Sequence, residues 1–243
     1  MTNKKFPLAG ALFIGLFSLY VMTFRVSLAA VGLATFYFIL MVMLGQATRL
    51  FRFPGEDGLF RIWLVPVLTG MGLFRLIWFA AKVVHLPHLV LIVPLALAST
   101  AAALKFGERR VPETGGRKQG SVWVVVALLV CTSVTYFPFK NFGLERDGFF
   151  HYRASFWAVS TKHLAVVNTL CREYPFANPY FHGETFHYYY LSYALPAALK
   201  ESGLTTEESV FAYQAVQAYV FVLLCFYFFG MLTENKRRAL WLT

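Results

Sequence analysis

Seven apolar runs, separated by short and mostly basic connectors, constrain this chain more than any other feature of its sequence. They lie near residues 6–24, 26–47, 61–82, 86–104, 121–139, 186–200 and 208–232. A bilayer needs about 20 apolar residues per helical span, and a helix satisfies its own backbone polar groups where no water is present to do so. The composition agrees: 58% of residues are hydrophobic and 14% are charged, against about 25% charged in a soluble domain. The expected fold class is therefore an all-α polytopic membrane protein with about seven transmembrane helices. The sixth run is the shortest. To cross, it would have to extend through Tyr188-Tyr189-Tyr190 or tilt behind its neighbours.

The connectors set an orientation. Lys4 and Lys5, then Arg49, Arg52 and Arg61, then Lys105, Arg109, Arg110, Arg117 and Lys118 fall on one side under an alternating count. The positive-inside rule makes that side cytoplasmic, so the expected location is the cytoplasmic (plasma) membrane with the N-terminus inside. Three regions follow: a bundle over 1–139, an extracytoplasmic loop over 140–185, and two further spans with a basic end over 186–243. One cluster resists this scheme. If both last segments cross, Lys236-Arg237-Arg238 ends up outside, so either one of them does not cross or the rule fails there. The net charge of +10 is explained by these connectors and not by a face that tracks phosphates, so no nucleic-acid partner is expected; membrane lipids are the expected partners. Cys131 and Cys225 fall in apolar runs and Cys171 stands alone, which leaves no disulfide or zinc framework.

Chemistry concentrates between Lys140 and Glu184. Glu145 and Asp147 are carboxylates at i and i+2 just beyond a span, a spacing that suits a general base with its orienting partner or a divalent cation such as Mg or Mn held by hard oxygen ligands. The same pair would serve equally as an ordinary solvated loop. From Phe149 to Arg172 no proline or glycine intervenes, and Phe156, Leu164, Val167 and Cys171 recur at helical spacing, which predicts an amphipathic helix on the membrane surface. His151, Arg153, Lys162 and His163 would flank it, either meeting phosphates or anchoring to headgroups. Glu184 and His187, three apart, would share a face if a helix has begun there; Tyr188 to Tyr190 suit an aromatic belt. Within the third run, Arg75 and Lys82 are expected to face a polar interior or to snorkel.

The stretch Asp147-Gly148-Phe149-Phe150-His151-Tyr152-Arg153-Ala154 resembles the Asp-Pro-Tyr-Phe-His/Asn-Tyr-Arg segment of oligosaccharyltransferase catalytic subunits, members of the GT-C superfold of membrane glycosyltransferases. Gly148 stands where that segment has proline. Glu145-Arg146-Asp147 is similar to the Glu-x-Asp variant of the acidic motif in an early extracytoplasmic loop of the superfold. Asn178 to Tyr190, with Gly183 and the Tyr188-Tyr189-Tyr190 triplet, is similar to a segment of the "YYY" membrane proteins. The resemblance runs from Glu145 through the last apolar run and leaves out the first four. It implies glycosyl transfer from a polyprenyl-phosphate-linked sugar donor on the extracytoplasmic face. Catalysis would fall to Asp147 with Glu145, either of which could instead ligate a metal, and substrate binding to Arg153, His151, Glu184, His187 and Tyr188.

Two other readings come from different classes. A lipid or solute transporter would place polar groups near the bilayer midplane, and here the spans carry few charges apart from Arg75. An inactive fragment is the other. Seven spans in 243 residues is short beside the superfold's enzymes, and the closing Ala239-Leu240-Trp241-Leu242-Thr243 reads as the start of another apolar segment, so an N-terminal portion is expected.

Overall fold

A computed structural model describes residues 14–15, 17–18, 21–22, 26–50, 64–106, 144–146, 149–151, 157–172, 174–181, 183–185 and 190–233. In chain order its elements are α1 (Leu28–Gly45, continued by a 3-10 turn over Gln46–Leu50), α2 (Val65–Val83), α3 (His88–Phe106), β1 (Leu144–Arg146), β2 (Phe149–His151), α4 (Trp157–Leu170), a 3-10 turn over Tyr190–Tyr193, α5 (Ala194–Glu201) and α6 (Thr206–Thr233). The fold is mostly helical. Among the described residues, four helices, α1, α2, α3 and α6, are long and apolar enough to cross a membrane. They match the expected runs 26–47, 61–82, 86–104 and 208–232 to within a few residues. Run 6–24 is described only in part: Phe17 and Val21 are buried, and Phe17 stacks on Phe38 at 4.1 Å. Run 121–139 and the Lys236-Arg237-Arg238 cluster lie outside the described residues.

Helices α1 and α2 pack antiparallel and very closely. A Cβ added at Gly45 would lie 1.7 Å from the carbonyl oxygen of Pro66, and one at Gly70 would lie 1.7 Å from that of Met41. In hydrocarbon, burying more apolar surface gives helices little reason to associate, so small residues that let backbones approach supply the attraction. The same register continues upward to Tyr37 and Phe74, whose rings meet edge to face at 5.7 Å. Near the other end of α1, Ser99 of α3 donates to the carbonyl of Leu44 (2.8 Å) and accepts from the amide of Ala47 (2.9 Å), satisfying backbone groups that the end of the helix leaves open. Helix α3 turns most of its surface outward, with Val90, Leu95, Leu97 and Leu104 exposed. A lipid-facing helix needs such a surface.

Among the described residues the sixth expected run holds no helix of spanning length. The helix in that stretch has eight residues, a rise of about 12 Å, which is less than half of a hydrocarbon core. Its residues Ala194 to Leu199 are all buried, so it wedges into one end of the bundle. Gly203 stops it in a left-handed conformation (φ 105°), with its amide bonded to the Lys200 carbonyl and the Leu204 amide bonded to that of Leu199. Thr205 then caps α6: its hydroxyl accepts from the Glu208 amide (3.2 Å) while the Glu208 carboxylate accepts from the Thr205 hydroxyl and amide. Glu208 also accepts hydrogen bonds from Ser27, the N-cap of α1. The starts of α1 and α6 therefore lie at one end of the bundle, called here the near end.

The surface helix also differs from expectation. It begins at Trp157, not Phe149, because Phe149–His151 is paired as a strand with Leu144–Arg146. Its buried residues Val166, Val167 and Leu170 pack into the protein core.

Gly70→Ala should lower the melting temperature of the detergent-solubilised protein sharply, because a methyl group there must push α1 and α2 apart at a cost of about 2 kcal/mol or more. Gly32→Ala, where nothing lies within 4 Å, should leave it unchanged or raise it. Equal effects of the two changes would contradict the close-packed seam.

Candidate functional site

The near end gathers polar groups that lie far apart along the chain. Lys82, in the last turn of α2, forms an ion pair with Glu201, the last residue of α5. The other carboxylate oxygen of Glu201 takes a bond from His88 Nδ1 at 3.0 Å, and His88 Nε2 meets the Tyr37 hydroxyl at 2.5 Å. Because a carboxylate only accepts, Nδ1 carries a proton and donates it to Glu201. Ser202 completes the chain, 2.7 Å from the Tyr37 hydroxyl. The side chains of Lys82 and Glu201 are 16% and 18% exposed. Burial alone pushes the Glu201 carboxyl up, but the bonds from His88 and Lys82 and the charge of Lys82 outweigh it and hold it below its ordinary range. Lys82, expected to snorkel, meets a carboxylate from a distant segment at the end of α2. Trp78, one turn earlier on α2, lies under the Lys82 ammonium at 5.8 Å.

Beside this clamp stands an aromatic cluster. Trp78 stacks on Phe176 (6.2 Å), Tyr174 meets Phe79 edge to face (5.7 Å), and Tyr190 contacts both Phe79 (5.5 Å) and Phe176 (5.6 Å). Tyr190 therefore packs against protein rings. It holds the segment 174–190 down onto the end of α2.

A pocket of about 220 Å³ opens between α4, α5 and α6, lined by His163, Ser192, Tyr193, Pro196, Val210, Tyr213, Gln214 and Gln217. His163 Nδ1 lies 2.5 Å from the Tyr193 hydroxyl. Burial, with the Lys162 charge adding to it, holds the ring below its ordinary 6.5, so it is neutral at pH 7 and can exchange a proton at its other nitrogen. Cys171 is chemically quiet by comparison: burial and the Glu201 charge push its thiol up to about 11.

Of the expected site residues, Glu145 sits in β1 opposite Phe150, and His151 in β2 opposite Leu144. Glu184 is exposed. It lies in a loop, not on a helix: its carbonyl accepts from the Asn178 amide (2.8 Å), and Thr185 bridges to Ala177. The expected helical face shared with His187 therefore does not begin at Glu184. Asp147, Arg153, His187 and Tyr188 lie outside the described residues. Among the described residues no three His, Cys, Asp or Glu side chains group as a metal site. Tyr37, His88, Glu201 and Ser202 were missed. Their only sequence signal is that His88 and Glu201 are polar residues at the borders of apolar runs, which does not pair them.

No protein-family model matches the chain, and neither a curated protein nor a solved structure matches it.

The clamp has a pH dependence with a definite sign. Since the folded Glu201 value lies below its ordinary 4.5, the unfolded chain binds the extra proton between the two values, and stability there rises with pH. The contribution is complete above about pH 4.5 and is lost as pH falls through the folded value. Thermal melts taken from pH 7 down to pH 3 should show this acid loss, and Glu201→Gln should melt lower at pH 7 and lack that component. The loss from protonating His163 lies in a separate window below pH 6.5 and is common to both proteins. Identical acid profiles would remove Glu201 from the clamp.

Proposed function

We propose that the chain acts as a membrane glycosyltransferase of the GT-C type, moving a sugar from a polyprenyl-phosphate donor at the near end of the bundle, which is the extracytoplasmic face. The observation that carries this reading is the Lys82–Glu201 pair. By tying α5 to the end of α2, it keeps the segment from Trp157 to Thr206 at one end of the helices, where a lipid-linked substrate presents its headgroup. The local likeness of Glu145 to Ala154 to oligosaccharyltransferase segments supplies the chemistry. The sidedness is supported by charge: α6 runs from the near end towards the end that holds Arg49 and Lys105, and Lys236-Arg237-Arg238 follows it in sequence.

In this reading the acceptor oxygen forms a bond to the anomeric carbon as the bond to the lipid phosphate oxygen breaks. The electron pair leaves with the polyprenyl phosphate. The acceptor proton passes to Asp147, with Glu145 beside it, and Arg153 offers a bidentate fork to the departing phosphate. His151, Glu184, His187 and Tyr188 remain proposed substrate contacts. A divalent cation bound by Glu145 and Asp147 would supply charge stabilisation at the same place.

A second reading has its own observation. Arg75 lies about 15 Å along α2 and hydrogen-bonds the Tyr213 hydroxyl within the spans, which suits a transporter of lipid or solute.

Incubation of the purified chain with a polyprenyl-phosphate sugar, followed by mass spectrometry for released polyprenyl phosphate, separates the two. Glycosyl transfer predicts release, reduced by about 10²-fold or more in Asp147→Asn. Release that is undiminished in Asp147→Asn contradicts the role of Asp147. Absence of release together with lipid or solute flux in proteoliposomes assigns the chain to transport.

A further inference from the structure

A second and larger cavity lies on the side of the bundle. It has a volume of about 650 Å³, and its described lining comes from α2 and α6. Its walls divide by chemistry along the helix axes. Towards the near end stand Arg75, Gln214 and Gln217; farther from it stand Leu68, Met71, Phe221 and Leu224. The Tyr213 hydroxyl accepts from Arg75 and from Gln217 Nε2, and the Arg75 side chain lines the cleft. Among the described residues no carboxylate pairs with Arg75. The amide oxygen of Gln214 is buried without a hydrogen-bond partner, and Gln214 lines both this cleft and the His163 pocket.

A cation within a membrane span is costly unless an anion or water meets it, and an unpaired buried amide oxygen costs a further hydrogen bond. Both groups open onto the same cavity, one asking for an anion and the other for a donor. Below them the wall is apolar and reaches the side of the bundle, where Phe221 is 65% exposed. We propose that this cleft binds a phosphate-bearing membrane lipid, with the phosphate on Arg75, a hydroxyl donor of the headgroup on Gln214, and the hydrocarbon chain along Leu68, Met71, Phe221 and Leu224. The lipid enters sideways between α2 and α6, and its headgroup points towards the His163 pocket. Free phosphate does not suit the site, since half of the cavity would remain apolar and empty. The inference concerns binding alone and does not depend on glycosyl transfer.

The test is a binding titration of the full chain in an uncharged detergent with four probes: a long-chain polyprenyl phosphate, phosphatidylglycerol, the matching polyprenyl alcohol and inorganic phosphate. A phosphate-bearing lipid should bind at least tenfold more tightly than the alcohol and than inorganic phosphate. Arg75→Gln should remove about tenfold or more of that affinity, and Arg75→Lys should retain most of it. A second variant guards against misfolding. Nothing lies within 4 Å of a Cβ at Gly72, which lines the cleft, so Gly72→Leu directs a side chain into the cavity and should weaken lipid binding at an unchanged melting temperature. Lipid affinity unaltered by both Arg75→Gln and Gly72→Leu overturns the proposal, as does equal binding of the alcohol. Equal binding of inorganic phosphate would make the site a plain anion site and overturns it too.

Discussion

The contact between Lys82 and Glu201 fixes more of this molecule than any other single interaction. A bilayer hydrocarbon core is about 30 Å thick, so two groups in direct contact cannot lie on opposite faces of it. Lys82 ends a helix of full spanning length, whereas Glu201 ends a helix of eight residues. The pair therefore requires that the chain between α4 and α6 return to the end from which it came. Such a half-buried ion pair adds little net stability, because desolvation offsets attraction. Its contribution is to specificity: with His88, Tyr37 and Ser202 it selects one arrangement of the wedge α5 among α1, α2, α4 and α6.

That arrangement removes the conflict in the charge pattern. With seven crossings, Lys236-Arg237-Arg238 stands alone on the wrong face. With α5 as a wedge, α6 leaves the near end and runs to the end of Arg49 and Lys105, so the proposed orientation expects the basic cluster that follows it in sequence on the side of the earlier connectors.

The long spans were legible because about 20 apolar residues in a row have one stable outcome in a bilayer. The run 186–200 misled because hydrophobicity measures burial, not crossing. Ala194 to Leu199 are as deeply buried as any span, but among protein helices. The capping box at Thr205 and Glu208 and the stop at Gly203 are local signals, and they do mark where α5 ends and α6 begins. The start of the surface helix was not legible, since Phe149–His151 carries no breaker residue to mark it as a strand. The clamp and the Arg75 cleft were not legible. Glu201 is 119 residues from Lys82 in sequence (201 − 82), and only packing brings them together. The acidic motif at Glu145 and Asp147 remains a sequence argument, for the hairpin β1–β2 settles only the backbone register around it.

Site-directed labelling tests the wedge most directly. Single cysteines at Val84, Glu207 and Asn235, in a chain whose Cys131, Cys171 and Cys225 are replaced by serine, can be probed with a membrane-impermeant maleimide in intact cells and in inverted vesicles. If α5 turns back, Val84→Cys and Glu207→Cys react from the same side and Asn235→Cys from the opposite one. Reaction of Val84→Cys and Glu207→Cys from opposite sides would mean that the chain crosses between them, and the Lys82–Glu201 contact could not exist.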